Sequence, residues 1–419
     1  MSRFSQFATL LEPYDLTFLA GTPYVYHCHH FNLFHDQTID DAVGEKAGFE
    51  LRARAARDAF VPLLQALFER LGATTAAEKV DIAQDLFASM GQGRLAIELG
   101  PDGTVRGRGA HLHYGFAWRE KYGERVKRAF PADAVAAGLV AAVAELTAQS
   151  AGPWTASETQ CVGMRAPACE ISGKQGDSHG RRRVADQAAF ERYLGESTGG
   201  LHEETISAIA DGLQGFVRGA SGDDRGLMQA FNVFVTQHFS SYYADTGFAA
   251  VKLVEAVSPA VAGSCEELLR EAGHVCVFNT FGNILMSPEW EGMVGPLKGD
   301  AEEIVQGCAA IARGLGFGRW AIAEHEPGKR LVLRTQSNYE ATSWLERYGK
   351  ATHPRCYFMQ GAAVAFMVLA TRVDWAERPK LTQAYYDNLF RGKGLGFKMQ
   401  SPRCLTMGDR ETEIVVEAV

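Results

Sequence analysis

A short stretch of this chain occurs twice. His27-Cys28-His29-His30-Phe31-Asn32-Leu33-Phe34-His35 aligns without a gap on His274-Val275-Cys276-Val277-Phe278-Asn279-Thr280-Phe281-Gly282. His27, Phe31, Asn32 and Phe34 recur as His274, Phe278, Asn279 and Phe281. An internal repeat constrains a fold strongly, because each copy is one structural unit built the same way. The polar residues between the shared positions do not recur: His29, His30 and His35 become Cys276, Val277 and Gly282. Histidines gathered in one copy predict that one half does chemistry and the other supports it.

The predicted elements repeat too. In the first half an amphipathic helix spans 45–71, with Leu64, Leu67, Phe68 and Leu71 at helical spacing, and a second helix spans 76–90. A strand over 93–99, a turn at Pro101-Asp102-Gly103 and a hairpin partner over 105–114 follow. In the second half, helix 301–315, strand 316–323, a turn at Glu326-Pro327-Gly328 and strand 330–335 repeat the order. Asn338-Tyr339 then stands for His113-Tyr114, Tyr348-Gly349 for Tyr122-Gly123, Gly361 for Gly138 and Cys404 for Cys161. Between the copies, a polar loop at 173–183 leads into a stretch read as helical, including a helix over 225–243.

At 419 residues the chain exceeds one ordinary core. A net charge of −8 and a pI near 5.9 give no basic footprint for nucleic acid. Charges or glycines interrupt every apolar run before 18 residues, so no membrane span is expected. The N-terminus lacks the basic start and apolar stretch of a secretory signal. Eight scattered cysteines read as reduced thiols or metal ligands of a cytoplasmic protein.

The end of each copy carries a pattern: Pro-x-Cys, a glycine within a small-residue helix, then Glu-x-x-Cys and a final Cys before a strand. The first copy shows Glu158-Thr-Gln-Cys161 through Cys169-Glu-Ile, and the second shows Pro354-Arg-Cys356, Gly361 and Cys404-Leu-Thr-Met-Gly408-Asp409. This resembles the 4-vinyl reductase domain family, whose relatives include aromatic-sensing domains of phenol-responsive activators and hydrocarbon-binding proteins. The resemblance implies an α+β fold with an antiparallel sheet and packed helices in each copy, dimer formation through that fold, and a small apolar pocket. Two copies in one chain would form an internal pseudo-dimer, with homo-oligomers as a further expectation. The domains are then 1–175, a helical bridge over 176–265, and a degenerate copy over 266–419. Several members hold a structural zinc. Here Asp133, Glu158, Cys161 and Cys169 offer that set, with Asp133 in place of the first Cys. The second copy has Cys356 and Cys404 but Ser401 for the Glu and Thr412 for the last Cys.

Six of twelve histidines lie in two clusters, His27, His29, His30 and His35, then His111 and His113. His-x-His on a strand directs both rings to one face, and if the first segment is helical His27 and His30 share a face at i, i+3; either way a pair from each cluster can converge on one transition metal. Imidazole suits iron and zinc alike, and two His with a carboxylate favour non-haem iron and oxidative chemistry. Haem held by one His stays open, though no Cys-x-x-Cys-His offers covalent attachment. Asn32, Tyr114 and Trp118 are candidates for a substrate pocket. These residues lead to a metal-dependent oxidoreductase acting on a small apolar or aromatic molecule. The alternative is a non-catalytic protein that binds or senses a hydrocarbon, aromatic or tetrapyrrole.

Overall fold

The computed structural model of the protein describes residues 3–100, 103–123, 125–148, 152–177, 179–390, 394 and 396–419. Pro101 and Asp102 of the expected turn, and Ser178 of the polar loop, lie outside them. The fold is α+β with three antiparallel sheets. The chain divides into two compact units, Met1–Thr9 with Phe18–Gln187 and Arg218–Ala262, and Leu10–Thr17 with Ala188–Val217 and Gly263–Val419. No helix among the described residues is long and apolar enough to cross a membrane.

In the first unit, strand Thr22–Cys28 pairs antiparallel with Val233–Phe239, placing Tyr24 opposite Phe239, His27 opposite Thr236 and Cys28 opposite Val235. Each strand follows a two-residue turn with both residues at positive φ: Ala20 and Gly21 at 47° and 86°, Phe231 and Asn232 at 54° and 61°. Positive φ at both central positions marks the hairpin turn whose twist matches that of its strands. Each strand also passes directly into a helix, His29–Val43 in one case and Ser240–Val257 in the other. The segment 176–265, read as a helical bridge, therefore contains the strands Met228–Ala230 and Val233–Phe239 and is shared between the units. The alternation Val233, Val235 and Gln237 against Phe234, Thr236 and His238 is strand periodicity, which the helical reading of 225–243 overlooked.

The long helix Glu45–Leu71 packs against Ala134–Thr147, whose alanines allow close approach. A Cβ on Gly138 would stand 2.5 Å from Ala56 Cβ and 2.7 Å from Ala53 O, so the helices meet backbone to backbone there. The helix Ala76–Ser89 opens with a capping box between Thr75 and Glu78, which satisfies its first amides. The adjoining sheet orders Ala96–Leu99, Val105–Gly109, Cys169–Gln175 and Trp154–Gln160, all antiparallel. Its last pair shifts register between Glu158 and Gln160. Such a bulge bends the strand and re-aims the side chains beside it, here just before Cys161.

The second unit has a four-stranded sheet of the same order: Ala321–Glu326, Arg330–Thr335, Thr412–Ala418 and Phe397–Arg403. Its last pair shifts register between Gln400 and Arg403, just before Cys404. A 3-10 turn closed by a left-handed residue follows each bulge, ending at Arg165 and Gly408. Gly361 sits where helix Tyr357–Arg372 crosses the backbone at Arg270, as Gly138 does at Ala53.

Two expectations about the histidines change. His27 lies in strand Thr22–Cys28 but His29 begins a helix, and His113 begins helix His113–Tyr122 instead of ending a strand. Neither His-x-His pair therefore shares a strand face. The repeated nine-residue stretch also takes two different backbones. His274 lies in helix Ala262–Cys276, and Val277–Phe281 forms a π-helical turn. The residue in the place of His27, sixth in a strand entered from a positive-φ turn, is His238.

Candidate functional site

Two clusters of chemistry-bearing side chains form in the first unit. Asp133 precedes helix Ala134–Thr147, Glu158 lies on the edge strand, Cys161 follows the bulge and Cys169 opens the next strand. One ligand atom from each falls within 4.8 Å of the others, and all four residues are buried. Cys169 Sγ donates to Asp133 Oδ2 at 3.2 Å, and Cys161 Sγ lies 3.8 Å from the same oxygen. The amides of Tyr114 and Gly115 donate to Asp133 at 3.0 and 3.1 Å, and that of Asp133 donates to Glu158 Oε2 at 2.8 Å. Glu158 Oε1 is buried with no hydrogen-bond partner. Burial, with Cys161 adding to it, pushes the Asp133 carboxyl up to about 8, and burial beside Asp133 raises Glu158 as well. The hydrogen bond from Cys169 draws Cys161 down to about 6 and pushes Cys169 up.

Four acids thus share one dry space, where they must either keep protons or take a cation. Two thiols and two carboxylates are donor groups of the kind that hold a metal ion. Gly115 keeps the space open, since a Cβ there would lie 2.7 Å from Asp133 Oδ2 and 3.2 Å from Cys161 Sγ. The cluster could hold a metal ion.

The second unit shows what that pattern becomes without the full set. Cys356 and Cys404 are free thiols with sulfurs 3.2 Å apart, and Thr412 Oγ1 lies 3.7 Å from Cys404. Ser401 donates to Glu413 O instead of serving as a ligand. Glu340 occupies the helix position of Gly115, which the sequence reading missed. Burial raises its carboxyl to about 8, and it accepts the amides of Phe358 and Met359 at 3.1 and 3.4 Å.

The second cluster is built from histidine and tyrosine rings around Asn32. Asn32 Nδ2 lies 3.0 Å from His113 Nε2 and donates to Thr236 Oγ1 at 3.0 Å, while Tyr243 OH donates to Asn32 Oδ1 at 2.7 Å. Because Nδ2 is a donor, His113 Nε2 accepts, and the ring proton of neutral His113 sits on Nδ1. That Nδ1 is buried without a hydrogen-bond partner. The Tyr243 ring is the hub of the cluster: His27, Phe31, His35, Tyr242 and His238 lie 4.5 to 5.3 Å from it, centroid to centroid. Tyr114 OH lies 3.1 Å from His238 Nε2. Beneath the rings, Tyr242 donates to Asp36, which pairs with Arg52 at 3.2 Å, and Arg128 pairs with Asp40 at 3.0 Å. Arg52 also pairs with Asp40 at 2.6 Å.

Burial lowers His27 and His113 well below the usual imidazole range, His238 to about 3 and His29 to about 4. These four imidazoles are therefore neutral at pH 7. His29 accepts the Phe234 amide at 3.3 Å and stacks on half-buried His30, whose own range burial lowers to about 2. His111 is half-buried and meets Phe116 edge-on.

The six expected histidines thus surround one region without gathering at one point. Among the described residues, the Asp133–Glu158–Cys161–Cys169 set is the one group of three or more potential metal ligands within 4.8 Å. Of the six, His113 bonds Asn32, His29 accepts the Phe234 amide, and His27 and His35 pack against Tyr243. Asn32 and Tyr114 belong to this cluster. Trp118 does not: its Nε1 donates to Val126 O and its ring lies under Arg128, 4.7 Å from the guanidinium carbon. The sequence reading places His238 and Tyr242 on a bridge helix as core more than pocket, and does not single out Tyr243. The turn at Phe231-Asn232 and the alternation after it were the available signals.

Compared with known proteins, the chain matches no family model and no curated protein. Among solved structures it is distantly similar to the phenol-responsive sensory domain of the transcription activator PoxR, crystallised with phenol. That alignment has a TM-score of 0.35 and 12% identity over 51% of this chain and 90% of that one.

Proposed function

We propose that this protein binds a small, weakly polar aromatic molecule in the histidine–tyrosine cluster of its first unit. The observation that carries this reading is the Nδ1–H of His113, a donor left unsatisfied inside a dry aromatic shell. Leaving such a group unpaired costs about 1–3 kcal/mol, which a ligand with one acceptor oxygen would recover. Both ring nitrogens of His35 are likewise buried without a hydrogen-bond partner. Neutral imidazoles and apolar rings with few polar groups are the composition of a small-molecule pocket. The thiol–carboxylate set would hold a structural metal, zinc by donor chemistry, anchoring Asp133 and, through its amide bonds, the start of the helix that carries His113 and Tyr114.

The metal-dependent oxidoreductase reading is the weaker one, because it needs the histidines to converge, and among the described residues no three of them bring ligand atoms within 4.8 Å of one another. Haem and tetrapyrrole roles have no observation behind them here.

Thermal shift and calorimetry with acetophenone and phenol test the proposal, with toluene as the control that lacks an acceptor. The oxygen-bearing compounds should raise the melting temperature, and His113→Phe should abolish that effect. Equal responses to toluene, or an unchanged response in the variant, refute the reading. Elemental analysis separates the alternatives. Metal lost on Cys161→Ala/Cys169→Ala belongs to the structural set, whereas metal lost on His111→Ala/His113→Ala would restore the metalloenzyme reading.

A further inference from the structure

We propose that Cys356 and Cys404 of the second unit form a reversible disulfide, which makes this thiol pair a redox modification site for a small peroxide. The pair lies in a different unit from the histidine–tyrosine cluster and does not depend on the function proposed there.

The two thiols are carried by elements that meet at one point. Cys356 directly precedes helix Tyr357–Arg372, and Cys404 follows the register shift that ends strand Phe397–Arg403. Their sulfurs lie 3.2 Å apart although 48 positions separate the residues. A disulfide bond is about 2.05 Å long, so the sulfurs need to close by only about 1 Å. In the first unit the matching corner carries two carboxylates beside its thiols, and that set could hold a metal ion. Here, among the described residues, no Asp, Glu or His completes a group of three potential metal ligands with the two thiols. Two sulfurs in contact, with no third ligand to fix a cation between them, are left to react with one another.

The surroundings decide which sulfur attacks. Around Cys404 Sγ stand Cys356 Sγ at 3.2 Å, Thr406 Oγ1 at 3.1 Å and Thr412 Oγ1 at 3.7 Å. Each threonine oxygen already accepts a backbone amide, Thr406 from Arg355 and Thr412 from Leu405, which leaves its hydroxyl proton for the sulfur. The bond from Cys356, helped by these hydroxyls, draws Cys404 down to about 6, and the same contact pushes the Cys356 thiol up. At neutral pH Cys404 is therefore the thiolate, the form that attacks an oxidant, and Cys356 keeps its proton. The turn after Cys404 gives the approach: Leu405, Gly408 and Asp409 line a surface pocket of about 390 Å³ together with Gly349 and Lys350. Both sulfurs are buried, so the oxidant has to be small.

The steps balance with hydrogen peroxide as the oxidant. The Cys404 thiolate attacks one peroxide oxygen, the O–O bond breaks, hydroxide leaves, and Cys404 becomes a sulfenic acid. The Cys356 sulfur then attacks the Cys404 sulfur. The S–O bond breaks, and the departing hydroxyl leaves as water with the Cys356 proton. The two sulfurs give up two electrons and the peroxide takes them; a dithiol reductant returns them.

Peptide mapping of the full chain tests the site. The protein is treated with hydrogen peroxide, remaining thiols are blocked with N-ethylmaleimide, and trypsin digestion is carried out without reductant. Cleavage after Arg355, Arg372, Arg403 and Arg410 should give peptides 356–372 and 404–410 joined as the main product for both cysteines, and dithiothreitol should separate them. With dimedone present, Cys356→Ser should carry the label on Cys404, whereas Cys404→Ser should leave Cys356 unlabelled. The mapping uses the unaltered chain, so it decides the matter whether or not the variants fold. The proposal is overturned if peroxide leaves the two peptides unlinked, if both cysteines appear mainly in links to other cysteines, or if dithiothreitol fails to release the pair. Dimedone on Cys356 and not on Cys404 overturns the assignment of the attacking sulfur.

Discussion

Replacing His238 by glutamine should make the protein less sensitive to acid. In the native state the His238 ring is fully enclosed, and burial lowers its pKa to about 3, with the nearby Asp36 carboxylate working against that and His35 with it. In the unfolded chain the ring titrates at about 6.5. A group whose folded pKa is depressed is neutral in the folded state, so the unfolded chain takes up the proton first as pH falls. Stability is whole above about pH 6.5 and is lost on the way down toward pH 3. Between pH 8 and pH 5 the linkage relation gives a loss of about 2 kcal/mol from this one residue. The variant lacks that loss, so urea unfolding of both proteins at pH 8, 7, 6 and 5 isolates it from every other titrating group. At slopes of about 1–3 kcal/mol per molar urea, the wild-type midpoint should fall by roughly 1 M more than the variant's. A gap between the two proteins that stays constant to within about 0.5 kcal/mol over this range, under half of the roughly 2 kcal/mol expected by linkage, would show that His238 is solvated. The neutral cluster on which the binding proposal rests would fall with it.

Three further outcomes follow from the same geometry. Asn32→Leu removes at once the Asn32 bonds to Tyr243 OH, His113 Nε2 and Thr236 Oγ1, and should destabilise the first unit by about 3 kcal/mol in thermal unfolding; a change under about 1 kcal/mol would mean that water enters the cluster. Gly115→Ala places a methyl 2.7 Å from Asp133 Oδ2, so the variant should retain its circular dichroism spectrum but lose at least tenfold in zinc affinity by competition titration. Arg52→Met leaves buried Asp36 without its arginine, while Asp40 keeps Arg128 at 3.0 Å, at a cost of about 3–5 kcal/mol, and Asp36→Leu added to it should recover part of the loss; a double variant no more stable than the single one contradicts that account.

Much of this architecture can be read in the sequence, and the exceptions have physical causes. Helices 45–71, 76–90 and 301–315 carry strong periodicity or caps, and Gly138 and Gly361 mark helix crossings because a side chain there would strike backbone. Asp133, Glu158, Cys161 and Cys169 are singled out together by the resemblance of this segment to a family in which several members hold a structural zinc with such a set. The histidines misled because His-x-His implies a shared face only within one strand, and both pairs straddle strand–helix or loop–helix junctions. Identity of letters also misled: His27 and His274 sit in similar words but different backbones. The true counterpart, His238, is marked by turn geometry and alternation, signals that survive when residue identity has drifted. Tyr243 could not be placed at the hub from sequence, since its neighbours His27, Phe31 and His35 come from a segment about two hundred residues away.

The pairing of Thr22–Cys28 with Val233–Phe239 sets a timetable for synthesis. His27 and Thr236, which touch through backbone and hydroxyl, are separated by 209 positions. At about 5–20 residues per second, the first strand leaves the ribosome some 10–40 seconds before its partner exists. During that interval an apolar, β-prone segment is exposed, and the ring cluster lacks Thr236, His238, Tyr242 and Tyr243. Nascent chains stalled near residue 220 should therefore remain open to protease around residues 22–35, and chains stalled past residue 300 should not. The protein would acquire its binding centre late, as a product of chain completion.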